Sequence, residues 1–233
     1  MNDKFKILNE YIGDGDPKGR YWFIGVEEAT PFYNMEPKAF DAEVNKRKDR
    51  KYRPVLEGEI QNDKAKHRSK GEHYTQIYDI MSKFIVGTEG DKWEEYQNKH
   101  LLQKGSKEFH MNLFPVGRKS KKLRRSELER FERFLNKLGF NDSSEYERYV
   151  RTERFPLMRK FRNLYNPEII ICFGMDNKED FNAILQLESS YLTPTNSWYY
   201  CYPDKRVFIT PFFGWGHMSD TKIKMLREKL KKS

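Results

Sequence analysis

The chain has 233 residues, of which 37% are hydrophobic, 15% aromatic and 34% charged, with a formal net charge of +9 at pH 7. That length suits one domain with a sizeable core. The start "MNDKFKILNEY" is charged, as expected of a chain with no secretory leader, and no apolar run approaches the ~18 residues of a membrane span, so a cytoplasmic protein with no membrane partner is expected. The two cysteines, Cys172 and Cys201, lie in apolar runs without C-x-x-C spacing, which excludes a disulfide framework and reads as two buried thiols. No metal or cofactor is expected. The basic excess favours a polyanionic partner such as nucleic acid.

In chain order, "RYWFIGV" (Arg20 to Val26) follows the turn-rich "GDGDPKG" and reads as a buried strand. "EEATPFYNMEP" is a loop, and a strongly charged stretch at about 37–72 reads as a helix followed by a solvated surface insertion. "YTQIYDIMSKFI" places Tyr74, Ile77, Tyr78, Met81, Phe84 and Ile85 at helical spacing, and "GDKWEEYQNKHLLQKG" reads as another helix. "EFHMNLFPV" (Glu108 to Val116) is a second strand, followed by "GRKSKKLRR", the densest basic run in the chain. "SELERFERFLNKLGF" is a helix with a capping-box pattern at Ser126 and Glu129 and a glycine cap at Gly139. The stretch from Ser143 to Pro167 is mostly helical, with a break or kink expected at Pro156. "PEIIICFG" reads as a parallel strand covered on both faces. After the helix "NKEDFNAILQLE" come two strands joined by "PDK", and a last helix from about Ser219 to Lys231.

Strands alternating with helices predict an α/β fold: a three-layer αβα sandwich around a central, mainly parallel four-stranded sheet, in a single domain spanning 1–233. In such folds a ligand sits outside the carboxyl ends of the strands. Glu27, Glu28, Phe32 and Tyr33 follow the first strand, Asn112 lies in the second, and His217 in "GWGHMSD" lies between the last strand and a helix N-terminus, where the macrodipole disfavours an imidazolium. Carboxylate, aromatic ring, amide and neutral imidazole thus fall at one edge of one sheet.

The order of these short motifs resembles the uracil-DNA glycosylase superfamily. "FIGVEEA" stands in place of a G-x-[DNE]-P type first motif, "HMNLFPVGR" resembles the strand carrying the base-reading asparagine, "PEIIICFG" resembles the P-x-x-x-x-x-x-G strand, and "GHMS" stands in place of H-P-S. The resemblance implies a DNA glycosylase-like protein of the DNA-repair kind, hydrolysing the N-glycosidic bond of a flipped base, uracil or another altered base. It implies that Glu27 or Glu28 positions or activates the attacking water. Phe32 or Tyr33 would stack on the base, Asn112 would bond its edge, and His217 would stabilise charge on the departing base. Arg118, Lys119, Lys121, Lys122, Arg124 and Arg125 would contact phosphates. Glu28 and Met218 occupy positions where the family carries proline, and no four-cysteine set exists for an iron–sulfur branch. A non-catalytic nucleic-acid-binding protein on the same fold is the alternative, and a small-molecule enzyme or interaction protein a third.

Overall fold

The computed structural model describes residues 2–27, 32–69, 76–117, 124–187, 198–214 and 216–232. In chain order its elements are α1 (Asp3–Glu10), β1 (Gly13–Gly15), β2 (Tyr21–Glu27), α2 (Pro37–Arg47), β3 (Tyr52–Arg53), α3 (Glu59–Ser69), α4 (Ile77–Val86), α5 (Lys92–Lys99), β4 (Glu108–Phe114), α6 (Arg125–Leu138), α7 (Ser143–Tyr165), β5 (Ile169–Phe173), α8 (Lys178–Leu185), β6 (Tyr200–Tyr202), β7 (Val207–Thr210) and α9 (Asp220–Lys232). The strands form one seven-stranded sheet in the order β3-β1-β4-β2-β5-β7-β6. β4, β2, β5 and β7 are parallel neighbours at its centre, while β1 is antiparallel to β4 and β6 antiparallel to β7.

The fold is therefore α/β with a mixed sheet, wider than the expected four strands. The additions are short and carry little apolar signal. β1 is Gly-Asp-Gly, and Gly13 lies so close to β4 that a Cβ there would come within 2.9 Å of the Phe109 ring. Only glycine permits that approach.

Side chains alternate across the central strands, as the two-residue period of a pleated strand requires. Trp22 and Ile24, Phe109 and Met111, and Ile170 and Cys172 join buried residues of α1, α2, α6, α7 and α8 in one core. Phe23, Ile169, Ile171, Phe173 and Phe208 join those of α4 and α9 in a second. Each fully buried side chain of this size contributes ~1.5–3 kcal/mol, so helices on both faces are what make continuously apolar strands such as β5 stable. Cys172 and Cys201 are buried free thiols.

Three local expectations change. The charged stretch after β2 is built into the domain: Phe40 and Val44 of α2 enter the first core, and Val55 and Ile60 enter the second. α6 begins one residue before Ser126, and its first turn is closed by Glu127, whose carboxylate accepts from the Arg124 N–H at 3.4 Å. α7 has no break at Pro156: one helix spans Ser143–Tyr165, with Phe155 and Met158 buried on either side of the proline. Among the described residues no helix is long and apolar enough to cross a membrane.

Candidate functional site

β2, β4, β5 and β7 run parallel, so all four release their chains at one sheet edge. β2 leads to β4 on one side, whereas β5 leads to β7 on the other. The strand order reverses between β2 and β5, and such a switch point opens a crevice at the carboxyl ends of the strands. Gly25 pairs with Asn112, Ile24 with Cys172, and Phe173 with Thr210. One cross-sheet row therefore reads Asn112, Gly25, Phe173, Thr210.

Asn112 carries the strongest signal in this row. It is 7% exposed, and its side-chain amide has no hydrogen-bond partner among the described residues. Its Oδ1 lies over Gly25, where any Cβ would collide with it and come within 2.8 Å of the Phe173 ring. Phe173 in turn stacks on Phe213 (centroids 4.4 Å apart) and meets Phe212 (6.2 Å) and His110 (5.9 Å). Amides this deep in a protein are normally bonded within it. An unbonded amide beside an aromatic ring is placed to exchange hydrogen bonds with a flat polar ligand.

Its backbone is held firmly. Arg154 of α7, 2% exposed, donates Nη2 to the Asn112 carbonyl at 3.1 Å and Nε to that of Leu113 at 3.1 Å. Nη1 donates to the carbonyls of Asn9 (2.6 Å) and Tyr11 (2.7 Å), which end α1 and would otherwise be orphans. One guanidinium thus ties α1 to the carboxyl end of β4. Composition hides it, since Arg154 sits among the charged residues of "RYVRTERF".

His110, two residues before Asn112, was also missed. Its Nε2 is buried without a partner, and burial pushes its pKa down to about 4, so the ring is neutral. Tyr11, Asp14, Arg47, His110, Asn112 and Arg154 line a cavity of about 10 Å³, room for one water at most. Its polar wall is self-contained: the Tyr11 hydroxyl donates to Asp14 at 2.7 Å, and Arg53 reaches the same carboxylate at 3.4 Å.

Glu27 ends β2 two residues beyond Gly25, on the same face by the strand period. Glu28 lies outside the described residues, as do Arg118, Lys119, Lys121 and Lys122. Arg124 and Arg125 are exposed at the start of α6, and Arg125 pairs with Glu129 at 3.2 Å. Phe32 is 2% exposed and packs in the first core against Phe40 at 5.6 Å, so its ring does not face the crevice. Tyr33 is half-buried against Phe131 at 5.6 Å. The ring beside Asn112 at Gly25 is that of Phe173, and Phe212 and Phe213 lie against Phe173 rather than against the amide; the pattern of the sequence presents all three only as core.

His217 is exposed in the loop after β7, between the buried Phe213 and Met218. Its N–H donates to Gly214 O at 3.1 Å, and its carbonyl accepts from Lys222 Nζ at 2.7 Å. Three strand spacings, ~14 Å, separate β4 from β7. At the start of the loop, Phe212 and Phe213 lie against Phe173. Met218 stands where the motif comparison has proline, and its side chain anchors the loop in the second core. Among the described residues, no group of three His, Cys, Asp or Glu side chains is placed to hold a metal ion. No protein-family model matches the chain, and a search of curated proteins finds no significant relative.

Proposed function

We propose that this chain is a DNA glycosylase-like protein that holds a flipped base against Asn112 and hydrolyses its N-glycosidic bond. The observation that carries this reading is Asn112, only 7% exposed, whose side-chain amide has no partner among the described residues and whose Oδ1 lies over Gly25 beside Phe173. An amide offers a donor and an acceptor side by side, which matches the edge of a base, and a ring beside it offers a stacking surface. The net charge of +9 suits a polyanionic substrate.

In this reading Glu27, or Glu28 next to it, directs a water at the sugar anomeric carbon. The C–O bond forms as the C–N bond breaks, the water proton is released, and the base leaves with the bonding electron pair. His217 stands at the mouth of the same edge to stabilise that charge. Arg124, Arg125 and the basic run before them hold phosphates. The alternative is a non-catalytic nucleic-acid-binding protein on this fold. The burial of Phe32 favours it, because that burial removes one stacking ring from the base.

The test is base release from oligonucleotides carrying uracil, hypoxanthine or a mismatch, detected by cleavage at the abasic site. Release by the wild type, lost in Asn112→Ala and His217→Ala, supports hydrolysis. Binding without release by the wild type supports the alternative. Absence of both ends the nucleic-acid reading.

A further inference from the structure

Strand β6 runs antiparallel to β7, with Tyr200 opposite Ile209. The chain entering β6 therefore reaches the sheet edge where β7 ends and the His217 loop begins. Trp198 lies there, partly exposed, with Lys222 Nζ 5.1 Å from its ring centroid. The same Nζ donates to the His217 carbonyl at 2.7 Å, so one ammonium joins the indole to the His217 loop. The indole is fixed from behind. It meets Tyr199 edge-on at 5.0 Å, and Tyr199 is 8% exposed against Phe208.

A second lysine–tryptophan pair shows what is distinctive here. Lys83 lies 4.8 Å from the Trp93 ring, but its charge is met by Asp220 at 2.8 Å. Lys222 has no carboxylate partner among the described residues. Among the described residues its cation is held only by a carbonyl and a π face, both weaker partners than a phosphate oxygen.

We infer that Trp198 and Lys222 form a subsite for the nucleotide flanking the target base, and that this subsite selects single-stranded nucleic acid. The inference rests on the nucleic-acid reading above. Lys222 takes the phosphate, and the attached base lies against the indole. A base in a duplex is already stacked on its neighbours, whereas one in a single strand is free to use an aromatic platform.

The test is fluorescence anisotropy with a short fluorescein-labelled single-stranded deoxyoligonucleotide and with its duplex, across a salt series. Trp198→Ala is expected to weaken single-strand binding ~10-fold or more without changing the salt slope, and to change duplex binding little. Trp198→Phe, which keeps a ring, restores most of the affinity. Lys222→Gln is expected to lower the slope of log affinity against log salt by about 0.7. Trp93→Ala is expected to bind like the wild type. The inference is overturned if Trp198→Ala binds the single strand as the wild type does, if it loses single strand and duplex equally, or if Trp93→Ala loses as much. Should the wild type release a base while Trp198→Ala binds normally, only this subsite falls. Should the wild type bind no oligonucleotide, the nucleic-acid reading falls with it.

Discussion

The two ends of β4 use the same kind of residue in opposite ways. Glu108, at the start, is fully buried, and its carboxylate accepts from the Tyr96 hydroxyl at 2.6 Å and the Leu102 N–H at 2.5 Å. Asn112, four residues on and on the same face, is nearly as buried as a residue, but its side-chain amide has no partner among the described residues. Glu108 pins α5 and the segment after it to the sheet. Asn112 leaves its donor and acceptor open beside a glycine and a ring. A buried polar group by itself says little; whether its bonds are made inside the molecule separates an anchor from a recognition group. His110 stands between the two, with one nitrogen orphaned and its ring against Phe173.

The largest expected effect falls on the open end. In the proposed glycosylase reading, Asn112→Ala should lower base release by ~10²–10³-fold, the scale for losing one aimed polar group in a reacting site. It should change the unfolding free energy by less than ~1 kcal/mol, since no internal bond is lost. A cooperative loss of stability matching the loss of activity would show that Asn112 is an anchor too.

The next effect is in pH, and here the neighbours on β4 oppose one another. Burial holds His110 near 4 from a usual 6.5, so the unfolded chain takes up that proton first, and stability falls by ~3 kcal/mol as pH drops from about 6.5 to 4. Burial raises Glu108 from 4.5 to about 6, despite the bonds from Tyr96 and Leu102 that act the other way. Its contribution is therefore lost as pH rises from about 4.5 to 6, by ~2 kcal/mol. Urea unfolding across this range should give a shallow wild-type profile. His110→Phe should leave stability declining as pH rises from about 4.5 to 6, and Glu108→Leu should leave it climbing. Equal slopes in the two variants would break the contrast.

At neutral pH, Glu108→Leu should cost ~2–3 kcal/mol, because the Tyr96 hydroxyl and Leu102 N–H are left buried and unpaired. Activity per folded molecule should survive. Gly25→Ala should cost ~1–2 kcal/mol from overpacking against Asn112 and Phe173, less than Glu108→Leu. It should still impair base release severely, since the methyl group occupies the place of the amide. Chemical denaturation and base release measured on the same preparation separate the two effects.

Much of this arrangement is legible in the residues themselves. Continuous apolar runs marked β2 and β5, and the single asparagine in "EFHMNLFPV" marked the strand of the candidate site. β1 and β3 were not legible, because a Gly-Asp-Gly strand and a two-residue strand have no periodicity to detect. Arg154 was hidden for a different reason: among many helix arginines, nothing local marks the one whose guanidinium meets carbonyls from α1 and β4. Phe32 and Phe173 illustrate the same limit. Both are phenylalanines near strand ends, yet one belongs to the first core and the other flanks Asn112.

By itself, then, the sequence determined the alternation of strands and helices, the basic excess, and which polar residues fall next to strand ends. These are local properties, set by side-chain period and composition. Only the tertiary structure decided that β4 and β5 flank β2, so that Asn112, Gly25 and Phe173 share a row. It alone decided that the Glu108 carboxylate has its partners while the Asn112 side chain has none among the described residues. The reason is physical: a polar group's role depends on what the rest of the chain brings within hydrogen-bond reach, and that is a property of packing between residues distant in sequence.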